Sequence, residues 1–133
     1  MTTTTLDDRT TRALSRGHTI DITTTGRRSG QPRRIEIVFF NIDGRIYISG
    51  MPSRRERQWL KNLRVEPRMT FHLKGAISGD LPATAREVTD PGERRAVIEH
   101  VARAWRRTDV DTMVELSPII EVLIEGYAPA TAA

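Results

Sequence analysis

Three histidines are the first side chains to test for acid–base or metal chemistry, and their spacing favours neither. His18, His72 and His100 stand far apart, with no Glu-x-x-His or His-x-x-x-His spacing, so sequence neighbours assemble no metal site. All three read as structural or solvent-facing. Ser29 and Ser49 lie outside any Gly-x-Ser-x-Gly elbow, and the chain has no cysteine. Disulfides, thiolate nucleophiles, iron–sulfur clusters and Cys-ligated zinc are thereby excluded. If such a chain is an enzyme, a cofactor carries the reaction.

The basic residues are more informative. Of 21 lysines and arginines only Lys61 and Lys74 are lysine. Arginine grips phosphate and carboxylate at two points, where lysine offers a point charge. A codon bias explains the preference equally well, but not the clustering. Between Arg27 and Arg68 ten arginines and Lys61 face only Glu36, Asp43, Glu56 and Glu66, a local excess of +7 in a chain of net charge +4. Four of those arginines crowd one segment, Thr23-Thr-Thr-Gly-Arg-Arg-Ser-Gly-Gln-Pro-Arg-Arg34. Its glycines let backbone approach a ligand, its amides and the Ser29 hydroxyl donate, and the guanidinium groups add charge. It is neither a Walker loop nor a dinucleotide Gly-x-Gly-x-x-Gly. An anion site and a solvated hairpin turn both fit its composition.

The elements around that loop follow from hydrophobic period. His18 to Thr25 alternates as a strand through Ile20 and Ile22, and Gly26 to Pro32 is a loop. Arg33 to Ile42 is a second strand, with Ile35, Ile37 and Phe39 on one face and Glu36, Val38 and Phe40 on the other. Asp43-Gly44 signals a hairpin, and Arg45 to Ser49 returns with Ile46 and Ile48 inward. A helix follows, with Ser53 and Glu56 as a capping box, an apolar stripe of Trp59, Leu60 and Leu63, and a stop at Glu66-Pro67. Met69, Phe71 and Leu73 mark a fourth strand, and Leu81 to Val88 a weaker fifth. A second helix opens with Asp90 as cap and Pro91 at its first position, its stripe being Val97 or Ile98, Val101, Ala104 and Trp105. Thr108 to Pro118 has no clear period, and Ile119 to Glu125 is a closing strand with Ile120, Val122 and Ile124 on one face.

At 133 residues and 38% hydrophobic, the chain has room for one core. The expected organisation is an arm or short helix over 1–17, one domain over 18–127 and a disordered tail over 128–133. No apolar run approaches the ~20 residues of a membrane helix, and the amino terminus has no signal-peptide pattern, so a cytoplasmic location is expected. Strands without regular crossover helices exclude a doubly wound sheet. They predict a mainly β, α+β domain, an antiparallel barrel of about six strands with two or three flanking helices.

Thr24-Thr-Gly-Arg-Arg-Ser-Gly-Gln-Pro-Arg33, followed by Trp59-Leu-Lys-Asn-Leu63 and Glu66-Pro67, resembles the deazaflavin-dependent nitroreductase family. The resemblance covers about residues 18 to 74. It implies a split β-barrel and an enzyme that uses the deazaflavin coenzyme F420 to reduce a small apolar acceptor, a quinone, enone or nitroaromatic. It further implies that Arg27, Arg28, Ser29 and Arg33 hold the coenzyme's phosphate and oligoglutamate tail. Pro32 would pack beside the ring system, and Ile48, Ser49 and Gly50 would run along it. Trp59 and Asn62 would contact the coenzyme from the helix, although Trp59 serves a core stripe equally well. Ser49 is the implied group for polarising or protonating the acceptor. Three alternatives remain at this stage: the same barrel with FMN, a coenzyme carrier without turnover, and a basic nucleic-acid-binding module. The last lacks any recognised nucleic-acid signature. A monomer and a homodimer are both compatible with the sequence.

Overall fold

The computed structural model describes residues 6–127. The tail expected over 128–133 lies outside them. Ten elements follow in the order α1 (Asp8–Leu14), β1 (Thr19–Thr25), β2 (Pro32–Ile42), β3 (Arg45–Ser49), α2 (Gln58–Val65), β4 (Arg68–Leu73), β5 (Gly79–Glu87), α3 (Pro91–Trp105), α4 (Val110–Leu116) and β6 (Ile119–Ile124). The six strands close into an antiparallel barrel in the order β1-β2-β3-β6-β5-β4. Every neighbouring pair is antiparallel, and short connections join β1 to β2, β2 to β3 and β4 to β5. The alternation in the sequence sets which face each strand buries. Ile20, Ile22, Phe39, Ile46, Ile48, Phe71, Ile120 and Val122 fill the barrel, and Leu14 of α1 joins them with 0% exposure.

The opposite face of β2 and β3 is apolar as well, and needs its own cover. Phe40 and Tyr47 pack with Val97, Ile98 and Val101 of α3, with Met113 of α4 and with Ile119. A second core thus lies between barrel and helices. Asp43 and Gly44 form the β2–β3 turn with φ of 53° and 87°, the doubly left-handed geometry that an Asp-Gly pair tolerates. Tyr127 donates to Gly44 O at 2.6 Å and Asn41 to Leu14 O at 2.8 Å, tying α1 and the segment after β6 to that turn.

Three details differ from the sequence expectations. There are four helices among the described residues, because Val110–Leu116 forms α4 in the segment that had no clear period. It is seven residues long with Met113 its one buried side chain, too little for a periodic stripe. Ser53 and Glu56 are not a capping box. Helix α2 begins at Gln58 with Arg57 as an N-cap that offers no side-chain bond. Ser53 Oγ instead accepts from Arg55 N at 3.1 Å, and Glu56 is held by Arg64 at 2.6 Å. In α3 the buried positions are Val97, Ile98, Val101 and Ala102, while Ala104 faces solvent. No helix among the described residues is long and apolar enough to cross a membrane.

Candidate functional site

The basic loop between β1 and β2 folds onto the face of α2. Within the loop Gly26 N donates to Gln31 O and Gly30 N to Gly26 O, each at 2.8 Å. Gly30 has φ of 71°, a conformation that favours glycine, and a Cβ on Gly26 would lie 2.7 Å from Ser29 Oγ and 3.2 Å from Gln31 O, so a side chain there would displace the loop. Ser29 Oγ accepts from Gln31 N at 3.1 Å and lies 3.5 Å from Arg33 Nη2.

Asn62, buried at 5% exposure, joins the loop to the helix. Its Oδ1 accepts from Arg27 N at 3.2 Å and from Arg27 Nη1 at 3.0 Å, while its Nδ2 donates to Thr24 Oγ1 at 3.3 Å. Gln58 Oε1 takes Arg27 Nη2 at 2.9 Å. Arg27 is therefore held by neutral acceptors, and its positive charge is left uncompensated. Arg28 and Arg33 are exposed and have no carboxylate partner among the described residues. Arg34 differs, since it pairs with Asp21 at 2.9 Å.

Together these groups line a cleft of about 620 Å³. Seven of the ten residues singled out in the sequence meet there: Arg27, Arg28, Ser29, Pro32, Arg33, Trp59 and Asn62. Trp59 does both things considered for it. It is 8% exposed and belongs to the barrel core, yet an edge reaches the cleft. Five further residues line the cleft: Thr24, Gly26 and Arg34 of the same loop segment, and Ile35 and Gln58, which sequence reasoning missed. Gln58 sits one helical turn before Asn62, a spacing that could have found it.

Ile48, Ser49 and Gly50 are not brought to this cleft. The Ile48 side chain is wholly inside the barrel. Ser49, one residue on, points the other way by strand alternation, and its hydroxyl is buried without a partner among the described residues. Gly50 packs against Pro118, whose Cγ would be 3.0 Å from an added Cβ.

The histidines stand apart from the cleft. His72, 7% exposed, has Nε2 2.6 Å from Thr23 Oγ1 and Nδ1 2.7 Å from Asp80 Oδ1, which joins β1, β4 and β5 outside the barrel. That bond holds the Asp80 carboxyl below its usual range. His18 packs edge-on against Phe39, and His100 against Phe40.

Comparison with known proteins places this architecture. A family model described as F420H(2)-dependent quinone reductase matches residues 2–124. Among solved structures, a conserved protein of Mycobacterium tuberculosis superposes with a TM-score of 0.71 at 20% identity, over 98% of this chain and 93% of its own. An F420 reductase superposes with a TM-score of 0.65 at 14% identity, over 90% and 95%. An FAD-binding protein of Mesorhizobium loti gives 0.60 at 18% identity, over 94% of each chain. At these identities the structural likeness establishes the fold.

Proposed function

The chain belongs to the F420H2-dependent quinone reductase family and is an F420-dependent oxidoreductase; on that footing we propose that the β1–β2 cleft holds the coenzyme and that hydride passes to a small apolar acceptor, a quinone first of all. One observation carries the assignment of the cleft. Arg27, Arg28 and Arg33 converge on a single cavity with no carboxylate partner among the described residues. Elsewhere Arg45, Arg64, Arg68, Arg86, Arg95 and Arg107 are each matched with an acid. Uncompensated guanidinium groups beside a cavity favour an anionic occupant, and a phosphate followed by a string of carboxylates meets that requirement.

The residues fit such a group. Arg28, Ser29 and Arg33 face solvent at the loop, suited to a flexible acidic tail, while Arg27 is half-buried against α2, suited to a phosphate. Pro32, Ile35 and the edge of Trp59 supply an apolar wall for the start of a ring system. When bound, F420 supplies the hydride chemistry. The chain contributes binding, orientation and exclusion of water. Asn62 is a positioning residue, since it fixes Arg27 through two bonds and Thr24 of β1 through a third, joining loop, strand and helix. Ser49 does not line the cleft, so no proton transfer is assigned to it here.

Titrating the purified protein with F420 and with FMN, followed by fluorescence, tests the assignment. Tight binding of F420 and weak binding of FMN are expected, with menadione reduced in the presence of reduced F420. Tight FMN binding with none of the deazaflavin would overturn it.

A further inference from the structure

Three side chains that carry chemistry meet on the outer face of the barrel. Thr23 of β1, His72 of β4 and Asp80 of β5 come from adjacent strands, since β4 pairs with β1 on one side and with β5 on the other. Asp80 registers opposite His72, and Thr23, opposite Thr70, lies on the diagonal from His72. Thr23 and His72 are 49 residues apart in the chain, so no local motif announces the group.

The direction of the hydrogen bonds follows from the groups themselves. His72 Nδ1 lies 2.7 Å from Asp80 Oδ1, and a carboxylate only accepts, so Nδ1 carries the proton. In the neutral ring Nε2 is then a lone pair, and Thr23 Oγ1 donates to it at 2.6 Å. A hydroxyl that donates to an imidazole whose far nitrogen is held by a carboxylate is an activated nucleophile.

The surroundings leave this hydroxyl something to act on. The His72 ring is buried at 7% exposure, while Thr23 is half-buried and borders a cavity of about 390 Å³. Thr25, Thr70, Met69 and Arg68 line the same cavity. On the other flank Arg34 registers opposite Thr23. Its Nε donates to Asp21 at 2.9 Å, and its Nη groups have no partner among the described residues. A guanidinium beside the attacking oxygen suits the charge that develops on a carbonyl oxygen.

We propose that Thr23, His72 and Asp80 form a hydrolytic centre for short-chain carboxylic esters, separate from hydride transfer. Thr23 Oγ1 attacks the ester carbonyl carbon as its proton passes to His72 Nε2. The bond to the leaving alcohol breaks, and the alcohol oxygen takes that proton. Water then gives a proton to Nε2 and attacks the acyl carbon on Thr23. The bond from Oγ1 to that carbon breaks, the carboxylic acid leaves and Thr23 recovers its proton from His72. Water is the only co-reactant. Asp80 is a positioning residue, which keeps the proton on Nδ1 and the ring turned toward Thr23.

4-Nitrophenyl acetate tests this, with nitrophenolate release followed by absorbance and the acid-quenched protein mapped by peptide mass spectrometry. In the parent the acetyl group should appear on Thr23 and then be lost to water. Thr23→Val, which keeps the branched shape of the strand residue, and His72→Gln should each lower kcat/KM at least about a hundredfold. Asp80→Asn should lower it about tenfold or more, and Thr23→Ser, which keeps the hydroxyl, should retain it. A network that serves only to join the strands leaves no acetyl group on Thr23, and that result would overturn the proposal. The mark is read on the parent, so it does not depend on the folding of any variant. Hydrolysis undiminished in Thr23→Val would overturn it too, by assigning turnover to other surface groups.

Discussion

Arg28 and Arg33 stand exposed at the β1–β2 loop, while Arg27 is anchored by Asn62 and Gln58, so the three arginines should respond differently to mutation. Replacing Arg28 or Arg33 by Ala should weaken F420 binding about tenfold each at low salt, and less at high salt, where screening already reduces their worth. The loss should grow with the number of glutamates in the coenzyme tail and nearly vanish for the bare deazaflavin head, as fluorescence titrations of tailed and tailless forms would register. Equal binding of both forms by parent and variants would remove the tail from this loop. The sequence disclosed these arginines because loop residues lie together in the chain. It hid the anchoring of Arg27, since Asn62 is 35 residues away. The position of Ser49 was legible and overlooked: with Ile46 and Ile48 inward, alternation sends Ser49 outward, under the helices and away from the cleft.

Strands were read more successfully than helices, for a reason visible in their burial. Ile20 and Ile22, or Met69, Phe71 and Leu73, alternate with less buried neighbours over several pleats, so a period of two survives in the sequence. Helix α4 has one buried side chain and shows no period at all. What holds α4 in place is a long-range contact, invisible to any local pattern. Arg94 of α3 donates through Nε to Val114 O of α4, and through its two Nη atoms to Val88 O and Ser117 O at the ends of the flanking strands. Arg94→Met keeps much of the side chain's apolar stem and removes all three bonds, leaving carbonyls without partners. The expected cost is about 2–4 kcal/mol, or roughly 10 °C in melting temperature, measurable by urea and thermal unfolding. A loss below about 1 kcal/mol would mean that solvent replaces the guanidinium and that the packing of Met113, Val110 and Val114 holds α4.

Across the whole molecule, charge sets the pH range in which this barrel is stable. Glu93 lies below the usual carboxylate range because Arg86 and then Tyr47 bond to it, and Asp21 lies low because Lys74 and Arg34 do. A carboxyl with its folded pKa depressed stabilises the fold above its unfolded value, and that contribution disappears as pH falls through the folded value, so acid instability is expected below about pH 4. Tyr47 governs part of the opposite limb. Burial, and then its bond to the Glu93 carboxylate at 2.9 Å, push its phenol up to about 12 from 10. An acid whose folded pKa is raised contributes stability below its unfolded pKa, and that contribution is lost as pH rises from about 10 through 12. Two pKa units set an upper bound of about 2–3 kcal/mol on this loss. Lys74, raised by Asp21 and Glu36, adds a loss of the same sign in the same alkaline range. In Tyr47→Phe the phenol no longer ionises, so urea midpoints from pH 9 to 12 should fall less steeply than in the parent. The slope that remains would belong to Lys74 and should diminish further in Lys74→Met. If the alkaline limb of Tyr47→Phe superimposes on that of the parent, the phenol buried between barrel and α3 is not the group that titrates.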